Sequence, residues 1–302
     1  MSRLERMQHG TFPAPAIDLG LEISPSARLK RRLLRAVDRR VDPRLIAGLG
    51  SVYLSARARS RCAVRYDGGH WIHRYRTGTV VNTVLGGLSA EREDEKTREV
   101  FLFDYCPRPG DTVVDIGAGV GGEVRLFSRL VGPSGRVLSI EAHPATFRCL
   151  RRTVELNRLG NVTPVECAVV GTAGPVLIED RAVDHIGNGL TTDTAHGVEV
   201  AGRQLGEILA AHGVDHVDLL KMNIEGAELA VLESSLDVLD RVDHLVVSCH
   251  DFLALRPDQA WQRTFAPVGD LLRQAGYTLR TRPEDSRAWV RCYIYASRPH
   301  RP

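Results

Sequence analysis

No run of apolar residues in this sequence approaches the ~20 needed to cross a bilayer, and Met1 to Gly20 lacks the apolar core of a secretion signal. Neither a membrane span nor export is expected, and the default compartment is the cytoplasm. The six cysteines (Cys62, Cys106, Cys149, Cys167, Cys249, Cys292) are scattered and form no C-x-x-C pair. That disfavours a disulfide frame or a zinc site and fits free buried thiols, so no structural metal is expected. Aromatic residues make up only 6% of the chain and are not interleaved with a basic face in the core, which argues against nucleic acid as partner. Repeats and low-complexity tracts are also missing. What is there, 302 residues that are 43% hydrophobic and 25% charged, can bury the core of one large domain with an appendage.

Net charge is small, +3, but unevenly spread: Arg28 to Arg40 holds seven basic residues and one acid, Asp38. Leu29, Leu33, Leu34, Val37 and Val41 recur there at helical spacing, so a basic amphipathic helix is expected. Its apolar stripe suits packing on the domain or on a second subunit. Weak peripheral contact of residues 28–40 with an anionic membrane surface, or contact with nucleic acid, is the alternative.

Val113-Val114-Asp115-Ile116-Gly117-Ala118-Gly119-Val120-Gly121-Gly122 closes an apolar strand on alternating glycines, where backbone amides can approach a ligand that any Cβ would obstruct. Gly117, Gly119 and Gly122 also satisfy the G-x-G-x-x-G spacing of dinucleotide sites. Asp115 separates the two cases, because a carboxylate beside the loop would repel a pyrophosphate but suits a cationic cofactor. S-adenosylmethionine (SAM) carries an ammonium, a sulfonium and no phosphate. Asp115 can accept from the cofactor's polar end or hold the glycine loop while the amides contact the cofactor's carboxylate, and Asp115, Gly117, Ala118, Gly119, Gly121 and Glu123 are therefore the candidate cofactor-binding residues here. Glu141, 26 positions beyond Asp115 in Ser139-Ile140-Glu141-Ala142-His143-Pro144, is placed to accept from a ribose diol, with Ala142 beside it and Cys167 and Ala168 flanking the adenine.

From Asp111 onward strands and helices alternate, which predicts a parallel sheet with helices on both faces. Strands are expected near 113–116, 136–140, 162–165, 217–222, 245–249, 277–281 and 290–296. Helices are expected over 123–130, 144–159, 204–211, 227–239 and 268–275, with Gly160 and Gly276 as C-caps. Upstream, a short helix near 45–58, a hairpin over 62–85 turning at Asp67-Gly68-Gly69 and a helix from Glu91 to Tyr105 are expected. Residues 172–202 form a long loop with weak strand signals of its own, whose Asp184-His185-Ile186-Gly187-Asn188-Gly189 stretch could close over a site or be a simple exposed turn. His70 and His73 fall on opposite faces of a strand and do not suggest a metal.

Lys221, Asn223 and Glu225 alternate at a strand's carboxyl end, where open α/β sheets place their ligands, and a Lys221 ion pair with Glu225 or Glu228 is the structural alternative. His250 ends the next strand and is the candidate general base.

Taken together, GDTVVDIGAGVGGE, SIEAHP, LNRLGN and DLLKMNIEGAELAVLE resemble the FkbM family of SAM-dependent methyltransferases over about residues 90 to 296. The resemblance implies an α/β class I methyltransferase (Rossmann-like) fold: a seven-stranded, mostly parallel sheet with helices on both faces and the last strand antiparallel. It further implies SAM as methyl donor and transfer to a hydroxyl of a polyketide, sugar or lipid in secondary metabolism. Two positions depart from the family pattern: Gly119 stands where Asn is frequent, and Asn223 where the Lys-x-Asp-x-Glu-Gly segment has Asp. Asn cannot act as a base, so His250, Glu225 or another residue must, with Lys221 and Asn223 completing the candidate catalytic set. The expected organisation is a mainly helical N-terminal extension over 1–60, a β-hairpin cap over 61–90 and the methyltransferase domain over 91–302, with a homo-oligomer contact left open. A nicotinamide oxidoreductase and a degenerate SAM-binding scaffold are the alternative functions.

Overall fold

The computed structural model describes residues 42–180, 188–254 and 257–298. The expectations for the first 41 residues, including the basic helix over 28–40, and for Asp184–Gly187 lie outside the described residues.

Helix α1 (Pro43–Ala58) packs on a three-stranded antiparallel meander of β1 (Ala63–Asp67), β2 (His70–Tyr75) and β3 (Gly78–Asn82). Leu54 of α1 meets Cys62, Tyr75 and Val80, while Ile46 and Ala47 meet Trp71. The sequence predicts two strands here, and the third, β3, is held from outside the meander. Asn157 Oδ1 accepts from Thr79 N (2.8 Å) and Asn157 Nδ2 donates to Thr79 O (2.8 Å), so a side-chain amide takes the place of a neighbouring strand. Helix α2 (Ala90–Lys96), capped by Ser89 Oγ, continues as a π-helical turn over Thr97–Phe101 and enters the main sheet through a loop.

That sheet contains β4 (Thr112–Ile116), β5 (Arg136–Glu141), β6 (Val162–Glu166), β10 (Val217–Met222), β11 (Val242–Ser248), β12 (Thr278–Arg280) and β13 (Tyr293–Ser297). Their order is β12-β13-β11-β10-β4-β5-β6, and only β13 runs antiparallel to its neighbours. The strands read as apolar runs because helices cover both faces. On one face, α5 (Leu205–Ala211), α6 (Glu228–Glu233), α7 (Leu236–Leu239) and α8 (Phe265–Gln274) pack on Leu220, Met222 and Leu245; on the other, α3 (Val124–Val131) and α4 (Pro144–Asn157) pack on Val113 and Val137. A second three-stranded sheet, β7 (Ala168–Val169), β9 (Gly197–Arg203) and β8 (Gly174–Glu179), occupies the region expected to be a long loop.

Three local expectations need correction. The helix expected over 227–239 breaks into α6 and α7 at Ser234-Ser235, where serines favour local backbone bonding over helix continuation. The strand expected from Val290 begins at Tyr293, after a 3-10 turn over Val290–Cys292. Gly160 is not the C-cap of α4: Arg158 takes the left-handed conformation (φ 55°), and Leu159 N donates to Val154 O (3.1 Å), closing the helix two residues earlier. Gly276, at φ 90°, does follow the end of α8. All six cysteines are free, and only Cys106 is exposed.

Candidate cofactor and acceptor site

The order of the sheet reverses between β4 and β10, and the carboxyl ends of β4, β5 and β10 open there into one pocket. The loop after β4 forms its floor. Gly117 is at φ 74°, and a Cβ there would lie 2.0 Å from Asn223 O, so no other residue fits between the two strand ends. Its amide and that of Ala118 donate to Ile140 O (2.9 and 3.0 Å), tying the loop to β5. Gly119, also left-handed (φ 57°), has open space where a Cβ would be.

Asp115 does not line this pocket, so of its two expected roles, contact with the cofactor and support of the glycine loop, its position fits the second. It is fully buried and meets Lys221 Nζ at 2.8 Å, while Lys221 donates to Gly117 O (2.7 Å). Burial pushes the Asp115 carboxyl pKa up and the Lys221 charge opposes it. Asp115 therefore acts on the loop through Lys221. Gly121 is likewise outside the lining; a Cβ there would meet Leu150 at 2.9 Å and Val124 at 3.0 Å, so it serves packing.

Gly117, Ala118, Gly119, Glu123, Glu141, Ala142, Cys167 and Ala168 do line the pocket. Glu141 accepts from Gly119 N (2.9 Å) and His143 N (2.8 Å), which fixes its carboxylate at the rim with acceptor capacity to spare; burial raises its pKa against those two bonds. At the opposite end, Lys96 Nζ sits between Glu93 (2.8 Å) and Glu123 (2.9 Å). Burial would lower the Lys96 pKa, but Glu123 and Glu93 override it and hold the ammonium well above its usual range. The sequence reading missed Glu93 and Lys96, whose only signal is an i,i+3 acid–base pair on the helix preceding β4.

The acceptor side is built from Asn223, Ile224 and Glu225, with Asn188, Gly189 and Leu190 laid across by pairing with β8, as in Glu179 N to Gly189 O (3.0 Å). Glu225 is left-handed (φ 56°), unusual for a non-glycine residue, and its loop is organised by buried Glu228. Glu228 Oε1 accepts from Ile224 N (3.3 Å) and Gly226 N (3.2 Å), and Oε2 from Thr264 Oγ1 (3.3 Å). His250 lies behind the pocket wall and is not among its lining residues. Its Nδ1 is 2.8 Å from Glu228 and its Nε2 3.4 Å from Glu225. Burial alone would lower its pKa, but these two carboxylates push it up to about 10. With both ring nitrogens facing carboxylates and the ring absent from the pocket lining, His250 is not placed to take a proton from an acceptor there, and the geometry does not support the general-base assignment. His250 orients Glu225.

The lining residues fit a cationic cofactor. Glu93, Glu123, Glu141 and Glu225 face the pocket against Lys96 and Lys221, and Lys221 is already committed to Asp115. Such a surplus of carboxylates attracts a sulfonium and repels a pyrophosphate, which disposes of the nicotinamide alternative.

This sheet order, with one antiparallel strand and a glycine loop at the switch point, defines a class I methyltransferase fold. The family described as Methyltransferase FkbM domain matches residues 115–279, more than half of the chain, and the chain belongs to it. It is a SAM-dependent methyltransferase. Among its relatives, 31-O-demethyl-FK506 methyltransferase FkbM of Streptomyces tacrolimicus is 27% identical over 193 residues, 51% of this chain and 73% of that protein. Methyltransferase sdnD of Sordaria araneosa is 25% identical over 197 residues, 53% of this chain and 76% of the relative. The crystal structure of an FkbM methyltransferase from Methylobacillus flagellatus KT is 18% identical with a TM-score of 0.42, covering 67% of this chain and 50% of that one.

Glu141→Ala is expected to raise the dissociation constant of S-adenosylhomocysteine about ten- to a hundredfold in calorimetric titration. Hydrogen bonds to a charged group contribute roughly 1.5–3 kcal/mol each, and this carboxylate also fixes Gly119.

Proposed function

We propose that the chain methylates the oxygen of a hydroxyl on a small molecule of polyketide, sugar or lipid type, as a tailoring step of secondary metabolism in the cytoplasm. The observation that carries this reading is Glu225, a carboxylate in the acceptor half of the pocket, held in a left-handed turn beside a buried histidine. The name of the Streptomyces tacrolimicus relative, an O-methylating enzyme by its wording, supports it.

When bound, the cofactor supplies an electrophilic methyl group. Glu141 would accept from its ribose hydroxyls, and the 117–120 backbone with Lys96, Glu93 and Glu123 would hold its charged amino-acid end. Asn223 and Glu225 orient the acceptor hydroxyl, and Glu225 takes the proton that the hydroxyl gives up as its oxygen gains the methyl group. Lys221 and His250 are positioning residues, the first for Gly117 and the second for Glu225. Leu190 and Ile178 add apolar side chains to the pocket lining.

Incubation with SAM and a panel of hydroxylated polyketides, sugars and lipids, read by S-adenosylhomocysteine release and product fragmentation, tests the reading. An O-methylated product is expected. Methylation confined to nitrogen or carbon acceptors, or cofactor binding without turnover of any acceptor class, would overturn it, the latter in favour of a scaffold.

A further inference from the structure

Charge is polarised along the chain. Between Arg28 and Ala90 there are fourteen arginines and lysines against three acids, whereas the remainder carries twenty-six against thirty-four. One of those three acids, Asp67, is already paired with Arg152 of α4 at 2.8 Å. Arg57, Arg59, Arg61, Arg74 and Arg76 are exposed on the same α1–β3 unit.

That unit also presents an apolar stripe to solvent. Leu45, Leu49 and Val52 of α1, spaced i, i+4 and i+7, are 71%, 75% and 71% exposed, while Ile46 and Leu54 on the other side are buried against the strands. Single exposed aliphatics are ordinary; three on one helical face set in a strongly basic unit are not.

We propose that this face is an interfacial anchor for an anionic lipid surface: Leu45, Leu49 and Val52 enter the acyl boundary while exposed arginines of the same unit, Arg57 at the end of α1 and Arg59 and Arg61 just after it, meet the headgroups. The outer face of α1 is apolar and the unit that carries it is basic, so an anionic surface would meet both an aliphatic stripe and positive charge. A second copy of the chain would bring two like-charged units together, so charge disfavours it as the occupant. Nucleic acid would use the arginines but has no use for an aliphatic stripe. Ile72 and Val81 of this unit pack on Val120 of the glycine loop, so the anchored face and the cofactor pocket belong to one body.

The test is co-sedimentation of the full chain with vesicles of phosphatidylcholine alone and of phosphatidylcholine with phosphatidylglycerol. Binding to the second only is expected, weakening as salt rises. The Leu45→Glu/Leu49→Glu variant is expected to bind the anionic vesicles about tenfold or more weaker. Its melting temperature and S-adenosylhomocysteine affinity should be unchanged, since both side chains are already exposed. No sedimentation with anionic vesicles, or sedimentation indifferent to the two glutamates, would overturn the anchor. So would a dimer in light scattering that the same variant dissolves, since a second copy would then cover the face.

Discussion

Lys221→Met is expected to lower the free energy of unfolding by about 3–5 kcal/mol, the range for removing one member of a buried ion pair. Asp115 is fully buried, and Lys221 is the cation that meets it, at 2.8 Å. Methionine fills much of the lysine's volume, so the loss reads the stranded charge rather than a cavity. Gly117 O also loses its donor, so S-adenosylhomocysteine affinity should fall together with stability. Denaturant unfolding of Lys221→Met, Asp115→Leu and the double variant separates these effects. The double variant should recover most of the stability, because an apolar pair leaves no buried charge, but not the affinity, because the loop remains unanchored. A single variant that unfolds like the wild type would show that Asp115 has another partner.

The parts of the fold that were legible in the sequence are those dictated by local pattern. Val217 to Met222 reads as a strand with the bounds it has in the structure, since Val217, Leu219, Leu220 and Met222 form its buried apolar frame and the polar loop begins at Asn223. The glycine loop was equally plain, because Gly117 is fixed by its own backbone angle and by the closeness of Asn223. What stayed hidden depends on residues far apart in sequence. Strand β3 needs Asn157, and the role of Lys96 needs Glu123, neither of which local periodicity reports. His250 looked like a base because it follows a strand, but its chemistry is set by Glu225 and Glu228, which reach it from the loop after the neighbouring strand β10 and from the start of α6. Asp115 was correctly singled out as unusual; its partner, Lys221, follows from the pairing of β4 with β10, where the two residues are in register.

Glu225→Gln is expected to lower kcat by about 10²- to 10⁴-fold, the usual contribution of a positioned general base, with S-adenosylhomocysteine affinity retained because the residue faces the acceptor. Glutamine keeps the size and the hydrogen-bonding reach of the side chain and loses only the capacity to take the proton. A loss under tenfold would transfer the base to another group. His250→Gln separates base from support. If the cation only orients Glu225, kcat should fall less than in Glu225→Gln, and the variant should lose a pH dependence of stability that the wild type has. The folded pKa of His250 is raised to about 10 from an unfolded value near 6.5. Its stabilisation is therefore complete below about pH 6.5 and declines as pH rises through about 10, where the folded-state ring gives up its proton. Melting temperatures of the wild type should drop over that window more steeply than those of His250→Gln. Parallel curves would mean that the ring is neutral in the fold, which would return it to the list of possible bases and leave Glu225 without the charge that orients it.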